Sequence, residues 1–305
     1  MKRWWMLLLI FGMTLSLVAC APEPSDDRLH VTVTTSFLDD MVRNIAPMEV
    51  IDLKLVIPAG SDPHTYLPKP QDFNKLARAD VVLYHGLHFE GKMVDALEPI
   101  GIAVTDAMPI ERLQLMDEDG RVVYDPHFWF DLELYAMAVD RASEVLAREL
   151  PAYASEIYTK AAVYKDELAA LDRWIRAEIA SIPEATRYLI TPHDAFQYFS
   201  KAYDIPVFSP QGLSTEAEVA TRDIMETVHF IVTHGVRAIF VESTTDPARM
   251  EKIREAAVAK GVDVNVVHGE DEALFSDSLA EAGHSGDTFL DMYRHNVDVI
   301  VRHLR

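Results

Sequence analysis

Apolar and polar positions alternate in two different rhythms along this chain, and the rhythms themselves alternate. Leu29 to Thr35 is an alternating, β-branched run and predicts a strand. Phe37 to Ile45 carries apolar residues at helical spacing, and Val50 to Ile57 is a second strand-like run. A short helix is predicted from Pro70, where proline suits the first turn. Asp80–Tyr84 predicts a strand, Glu90–Leu97 a helix and Ile102–Thr105 a fourth strand. Such βαβα order implies a mostly parallel sheet with helices on both faces. Glu111 to Tyr124 is polar around Asp117-Glu118-Asp119-Gly120 and predicts a hairpin or loop, before a helix from Leu132 to Leu150.

From about Tyr153 to Ile182 the helical rhythm is unbroken: Ile157, Ala161, Tyr164, Leu168, Leu171, Trp174, Ile175 and Ile179, with no glycine or proline between. A helix of roughly 30 residues spans about 45 Å at 1.5 Å per residue, which suits a rigid rod between two bodies. Beyond it the strand–helix order returns. Strands are predicted at Arg187–Thr191, Ala238–Val241 and Val262–Val267, with helices at Ala195–Tyr203, Glu216–His234, Asp246–Lys260 and Thr288–Leu304. The two halves read as two copies of one architecture.

Composition narrows the function classes. The formal charge is −21, and loss of the segment carrying Lys2 and Arg3 takes it to −23. That excess argues against nucleic acid and anionic lipid as direct partners and suits attraction of cations. Hydrophobic content of 49% supports genuine cores. Residues 1–20 have a basic start, an apolar stretch from Trp4 to Val18, and end in Leu17-Val18-Ala19-Cys20, with Cys20 the sole cysteine. The cysteine cannot form an internal disulfide, and its place resembles a bacterial lipobox, where cleavage leaves a lipidated cysteine as the new N-terminus. Residues 21–28 then read as a flexible tether.

In a parallel α/β sheet, ligand groups gather in loops beyond the carboxyl ends of strands. His64 lies there, in Ser61-Asp62-Pro63-His64-Thr65-Tyr66-Leu67-Pro68, on a turn restricted by prolines. His127 lies in an Asp-Pro-His turn before a helix, where Asp125 reads as the helix cap; His193 follows a strand in Thr191-Pro192-His193. Asp277 lies beyond the last predicted strand, in competition with Asp271, Glu272 and Asp287. Three imidazoles and a carboxylate suit a divalent transition metal. Glu242 ends an apolar strand, where an unpaired carboxylate would be costly; it is a candidate to orient a ligand histidine or to form a structural salt bridge. His85 and His88, flanking Gly86, are expected on the first-half surface or cleft rim, and His229, His234, His268, His284, His295 and His303 are expected to be solvated or at helix ends.

These motifs carry a resemblance. Asp62-Pro63-His64-Thr65-Tyr66, Asp125-Pro126-His127-Phe128-Trp129-Phe130-Asp131, His193-Asp194-Ala195-Phe196 with Tyr198-Phe199 and Ala202-Tyr203, and Phe275-Ser276-Asp277-Ser278 are similar to those of the TroA-like metal-binding proteins. Those proteins are the zinc- and manganese-specific solute-binding components of bacterial ABC transporters. Gln211-Gly212-Leu213-Ser214-Thr215 and Phe240-Val241-Glu242-Ser243 resemble that family's second lobe. The resemblance implies an α/β fold of two lobes, each with a four-stranded parallel sheet flanked by helices, joined by one long rigid helix. Mapped on this sequence, residues 29–150 and 184–305 are the lobes and 151–183 the linking helix. It also implies a metal site formed by His64, His127, His193 and Asp277 between the lobes. Capture of Mn²⁺ or Zn²⁺ would take place outside the cytoplasmic membrane, with the chain a monomer held by a lipid on Cys20. Delivery would go to a permease and its ATPase. Two alternatives stand beside it: a secreted zinc hydrolase, which needs an open metal position, and a surface adhesin stabilised by metal. The acids of residues 111–124 come without the histidines common in zinc-dedicated members, so neither metal is favoured.

Overall fold

The computed structural model describes residues 27–305 except 119 and 270. The expected signal segment, Cys20 and most of the tether lie outside the described residues. Among the described residues no helix is long and apolar enough to cross a membrane.

The first half is built on a parallel sheet of β1 (Leu29–Val33), β2 (Ile51–Leu55), β3 (Val81–Tyr84) and β4 (Ile102–Ala103) in the order β2-β1-β3-β4. Alternate residues of a strand face opposite sides, and both sides here are covered. Val31, Val33, Val81 and Leu83 face α1 (Ser36–Ile45) and the main core. Val82 and Tyr84 face a smaller core with Leu76 of α2 (Pro70–Ala77) and Leu97 of α3 (Val94–Leu97). The helix expected over Glu90–Leu97 is a 3₁₀ turn at Gly91–Met93 followed by the single turn of α3. The polar stretch before the Asp125-Pro126-His127 turn is a hairpin, β5 (Leu115–Glu118) antiparallel to β6 (Arg121–Tyr124).

The long helical run is α5 (Ala154–Ala180), packed along α4 (Leu132–Glu149). Ile157, Ala161, Tyr164, Leu168, Leu171, Ile175 and Ile179 are its buried stripe, spaced three and four residues apart as a helix packed along one side requires. The second half follows with β7 (Leu189–Ile190), α6 (Gln197–Tyr203), β8 (Val207–Phe208), α7 (Thr221–His234), β9 (Ala238–Phe240), α8 (Ala248–Val258), β10 (Asn265–Val267) and α9 (Phe289–Leu304). Its four strands form two parallel pairs, β7–β8 and β9–β10, with β7 lying against β9. Strand β8, only two residues long and directly after Pro206, is too short to leave an alternating pattern.

One hydrophobic core runs through both halves and the helix between them. Phe130 meets Phe196 at 4.4 Å between ring centroids, and Tyr135 stacks on Phe289 at 3.7 Å. The Tyr293 hydroxyl donates to the carbonyl of Trp129 (2.9 Å). Aromatic pairs of this kind contribute about 0.5–1.5 kcal/mol beyond their area. Together they make the two halves one packed body rather than beads on a hinge.

Candidate metal centre

His64 and His127 are delivered by the same local device. In each Asp-Pro-His turn the aspartate side chain accepts from the backbone N–H of the histidine two residues on: Asp62 Oδ1 from His64 and Asp125 Oδ1 from His127, both at 2.9 Å. Aspartate favours such local closure, and the intervening proline fixes φ. Gly91 presses on the first turn: with φ of +45°, a Cβ there would stand 2.2 Å from the His64 carbonyl oxygen. His193 lies just beyond β7, joined by a parallel bridge to Gln211, and Glu242 lies just beyond β9, bridged to Leu274. Because β7 and β9 are neighbours, the two side chains meet. Asp277 sits in the loop between β10 and α9.

The four groups converge: one ligand atom from each of His64, His127, His193 and Asp277 lies within 4.8 Å of every other. His64 Nε2 is 3.4 Å from His127 Nε2 and 3.8 Å from Asp277 Oδ2. His127 Nε2 is 3.5 Å from Asp277 Oδ1, and His193 Nε2 is 3.2 Å from Asp277 Oδ2. Donors about 2.0–2.2 Å from a tetrahedral ion lie roughly 3.3–3.6 Å apart, so these separations fit a metal. His193 Nε2 and both Asp277 oxygens are buried without a hydrogen-bond partner. Unpaired buried polar atoms are costly, and a shared cation would satisfy all three.

Behind the donors stand carboxylates. His127 Nδ1 lies 2.7 Å from Asp125 Oδ1, and His193 Nδ1 bonds to Glu242, which also accepts from the Ser276 hydroxyl (3.0 Å). Such partners fix a ligand imidazole's tautomer and orientation. Burial opposes charge on His127, but Asp125 and Asp277 outweigh it and raise its pKa to about 9. His193 is likewise raised, Glu242 and Asp277 overcoming burial. His64, facing burial with only Asp277 in its favour, is lowered to about 3. Burial would raise Asp277, yet the imidazoles of His193, His127 and His64 hold it well below the usual carboxylate range.

Of the two readings left open for Glu242, the contact made is with His193. Asp125, read from the sequence as a helix cap, instead holds His127, and the cap of α4 is Asp131, which accepts from the N–H groups of Glu133 and Leu134. The repeated Asp-Pro-His triplet was the available signal. His85, expected on the surface or rim, is fully buried against Phe89 and Trp129, with Nε2 2.7 Å from Thr35 Oγ1. Burial pushes its pKa down to about 3, which keeps it neutral. Nothing in the local sequence marks His85 as the inward-facing residue of the stretch 85–88. His88 is exposed as expected, as are His229, His234, His268 and His284.

Glu242→Gln is expected to weaken metal binding about 10–100-fold, as loss of a partner behind a ligand histidine typically does. Calorimetry in buffers of different ionisation enthalpy should also show fewer protons released, because Glu242 raises the proton affinity of His193. Unchanged proton release would contradict this role.

The zinc-uptake complex component A, periplasmic family (ZnuA) matches residues 31–303. The manganese-binding lipoprotein MntA of Bacillus subtilis is 38% identical over 314 residues, covering all of both chains. The zinc-binding protein TroA of Treponema pallidum is 36% identical over 283 residues, 91% of this chain and 89% of TroA. A solved structure from a study of TroA metal-binding specificity superposes with a TM-score of 0.89 at 52% identity, covering 91% of this chain and all of that one. With matches of this extent, the chain belongs to the ZnuA family of metal-uptake binding proteins.

Proposed function

We propose that this protein captures one divalent transition metal ion, Mn²⁺ or Zn²⁺, outside the cytoplasmic membrane and passes it to an ABC permease driven by its ATPase. His64, His127, His193 and Asp277 are the ligands, with Asp125 and Glu242 orienting two of the imidazoles. The ion is cargo. The observation that carries the reading is the convergence of four buried donors, drawn from both sides of the long helix, at separations a metal would bridge. Residues 1–20 are the signal segment, Cys20 carries the lipid, and residues 21–28 tether a monomer to the membrane. Residues 29–150 and 184–305 are the lobes, and 151–183 the linking helix. No nucleic acid takes part.

Family membership supports a solute-binding protein rather than an enzyme, and Asp277 offers both oxygens to the imidazoles where a hydrolase needs an open position. No observation favours an adhesin. Deleting the gene should impair growth when Mn²⁺ or Zn²⁺ is scarce, with rescue by the intact gene but not by an Asp277→Ala copy. Rescue by that variant would contradict the proposal.

A further inference from the structure

A cleft of about 710 Å³ lies between the 86–88 turn, the β5–β6 hairpin and Leu213 and Ser214 of the second half, with His64 in its lining. Of the four donor residues only His64 lines it, and only His64 keeps any exposure, 3% against 0% for the others. At about 30 Å³ per water, an ion with six waters needs on the order of 200 Å³, so the cleft admits a hydrated cation. Glu98 and Asp106 line it and attract such an ion, and Arg121 on the hairpin opposes it.

The walls are preformed. Gly86, Leu87 and His88 take φ of +88°, +54° and +64° in succession, a conformation that side chains other than glycine avoid. A Cβ on Gly86 would stand 2.5 Å from Thr105 Oγ1, so the turn lies tight against the β4 edge. The seam between the lobes is closed by contrast. Thr215 Oγ1 donates to Asp62 Oδ2 (2.5 Å), the Gly60 N–H to Ser278 Oγ (2.8 Å), the Leu279 N–H to Ser36 Oγ (2.9 Å) and Trp129 Nε1–H to the Ser276 carbonyl (3.0 Å). Parting the lobes breaks these bonds. None of these partners lines the cleft.

We infer that the cleft is the ion's way in and out, that His64 is the ligand it meets first, and that exchange proceeds without the lobes separating. The inference rests on the metal-binding reading above. A route differs from a site in its kinetics. Narrowing a route raises one barrier shared by both directions, so association and dissociation slow by the same factor and Kd holds.

Stopped-flow mixing with Zn²⁺ alone, and release into a chromogenic chelator, measure both rates. Val123→Trp, which adds bulk to the cleft wall, should slow both rates equally. Thr215→Val, which removes a bond across the seam at constant volume, should leave both unchanged. Arg121→Glu, an exposed change that leaves the core alone, should raise the association rate roughly threefold or more at low ionic strength, the gain vanishing at high salt. Val123→Trp rates equal to wild type, faster exchange in Thr215→Val, or an Arg121→Glu rate that does not depend on salt would each overturn the route. Failure of the unmodified protein to bind Zn²⁺ would instead overturn the metal reading beneath it, and that control comes first.

Discussion

Asp277→Ala is expected to lower affinity for Mn²⁺ and Zn²⁺ by more than about 100-fold in competition titrations against a chelator of known affinity. The magnitude follows from comparison. Losing a residue that merely orients a ligand costs about 10–100-fold, and Asp277 is proposed as a ligand and is the one carboxylate among the four donors. Without it a divalent ion would sit among neutral imidazoles in a buried site, where an uncompensated charge is expensive. Asp277→Asn tests the charge separately, since it preserves volume and one oxygen. An affinity within about threefold of wild type for both variants, against the 10–100-fold scale set by orienting residues, would remove Asp277 from the site.

The second large effect is on pH. An ion binds neutral imidazole, yet in the metal-free protein His127 titrates at about 9 and His193 is also raised. Near neutral pH binding must therefore expel one proton from His127 and one from His193, while His64, lowered to about 3, releases none. Affinity should rise with pH, and the share due to His127 should fade above about 9, where that imidazole is already neutral. Each proton contributes about 1.4 kcal/mol per pH unit, so from pH 7 to 5 two protons weaken binding by about 10⁴-fold. The fold without metal should respond with the opposite sign. His127 has a folded pKa above its unfolded one, so its contribution is full below about 6.5 and is lost as pH rises through about 9. Thermal melts of metal-free and metal-loaded protein over this range separate the two trends, and a pH-independent affinity would contradict the assignment.

Most of this site was legible because its chemistry is attached to strong local signals. His64 and His127 sit in Asp-Pro-His turns, His193 directly follows a strand, and the helix Ala154–Ala180 announces itself through an uninterrupted apolar stripe. What the sequence withheld depends on contacts between distant residues. Asp125 looked like a cap because its position precedes a helix; only the fold shows its carboxylate turned back to His127. His85 looked exposed because it neighbours Gly86, and its burial follows from Phe37, Phe89, Phe128 and Trp129 closing on it from three separate segments. The helix expected from Glu216 begins at Thr221, and strand β8 is two residues long, so neither boundary carries a full period of pattern. Asp277 was the least legible donor. It lies among other acids, and in the sequence it was singled out largely by the family resemblance; only the fold sets the three imidazoles around it.

The contacts that join the two halves come from the same segments as the site. Phe130 on Phe196, Tyr135 on Phe289, and Trp129 bonded to both Ser276 and Tyr293 join the segments that carry His127, His193 and Asp277. If the inferred route holds, the packing that sets the donors in place is also what makes the cleft beside His64 the path of exchange.

The most direct measurement is the metal content of protein purified without added metal, followed by competition binding of Mn²⁺ and Zn²⁺. The account predicts one ion per chain, held tightly and lost in Asp277→Ala. Protein that carries far less than one ion and binds neither Mn²⁺ nor Zn²⁺ tightly would contradict it.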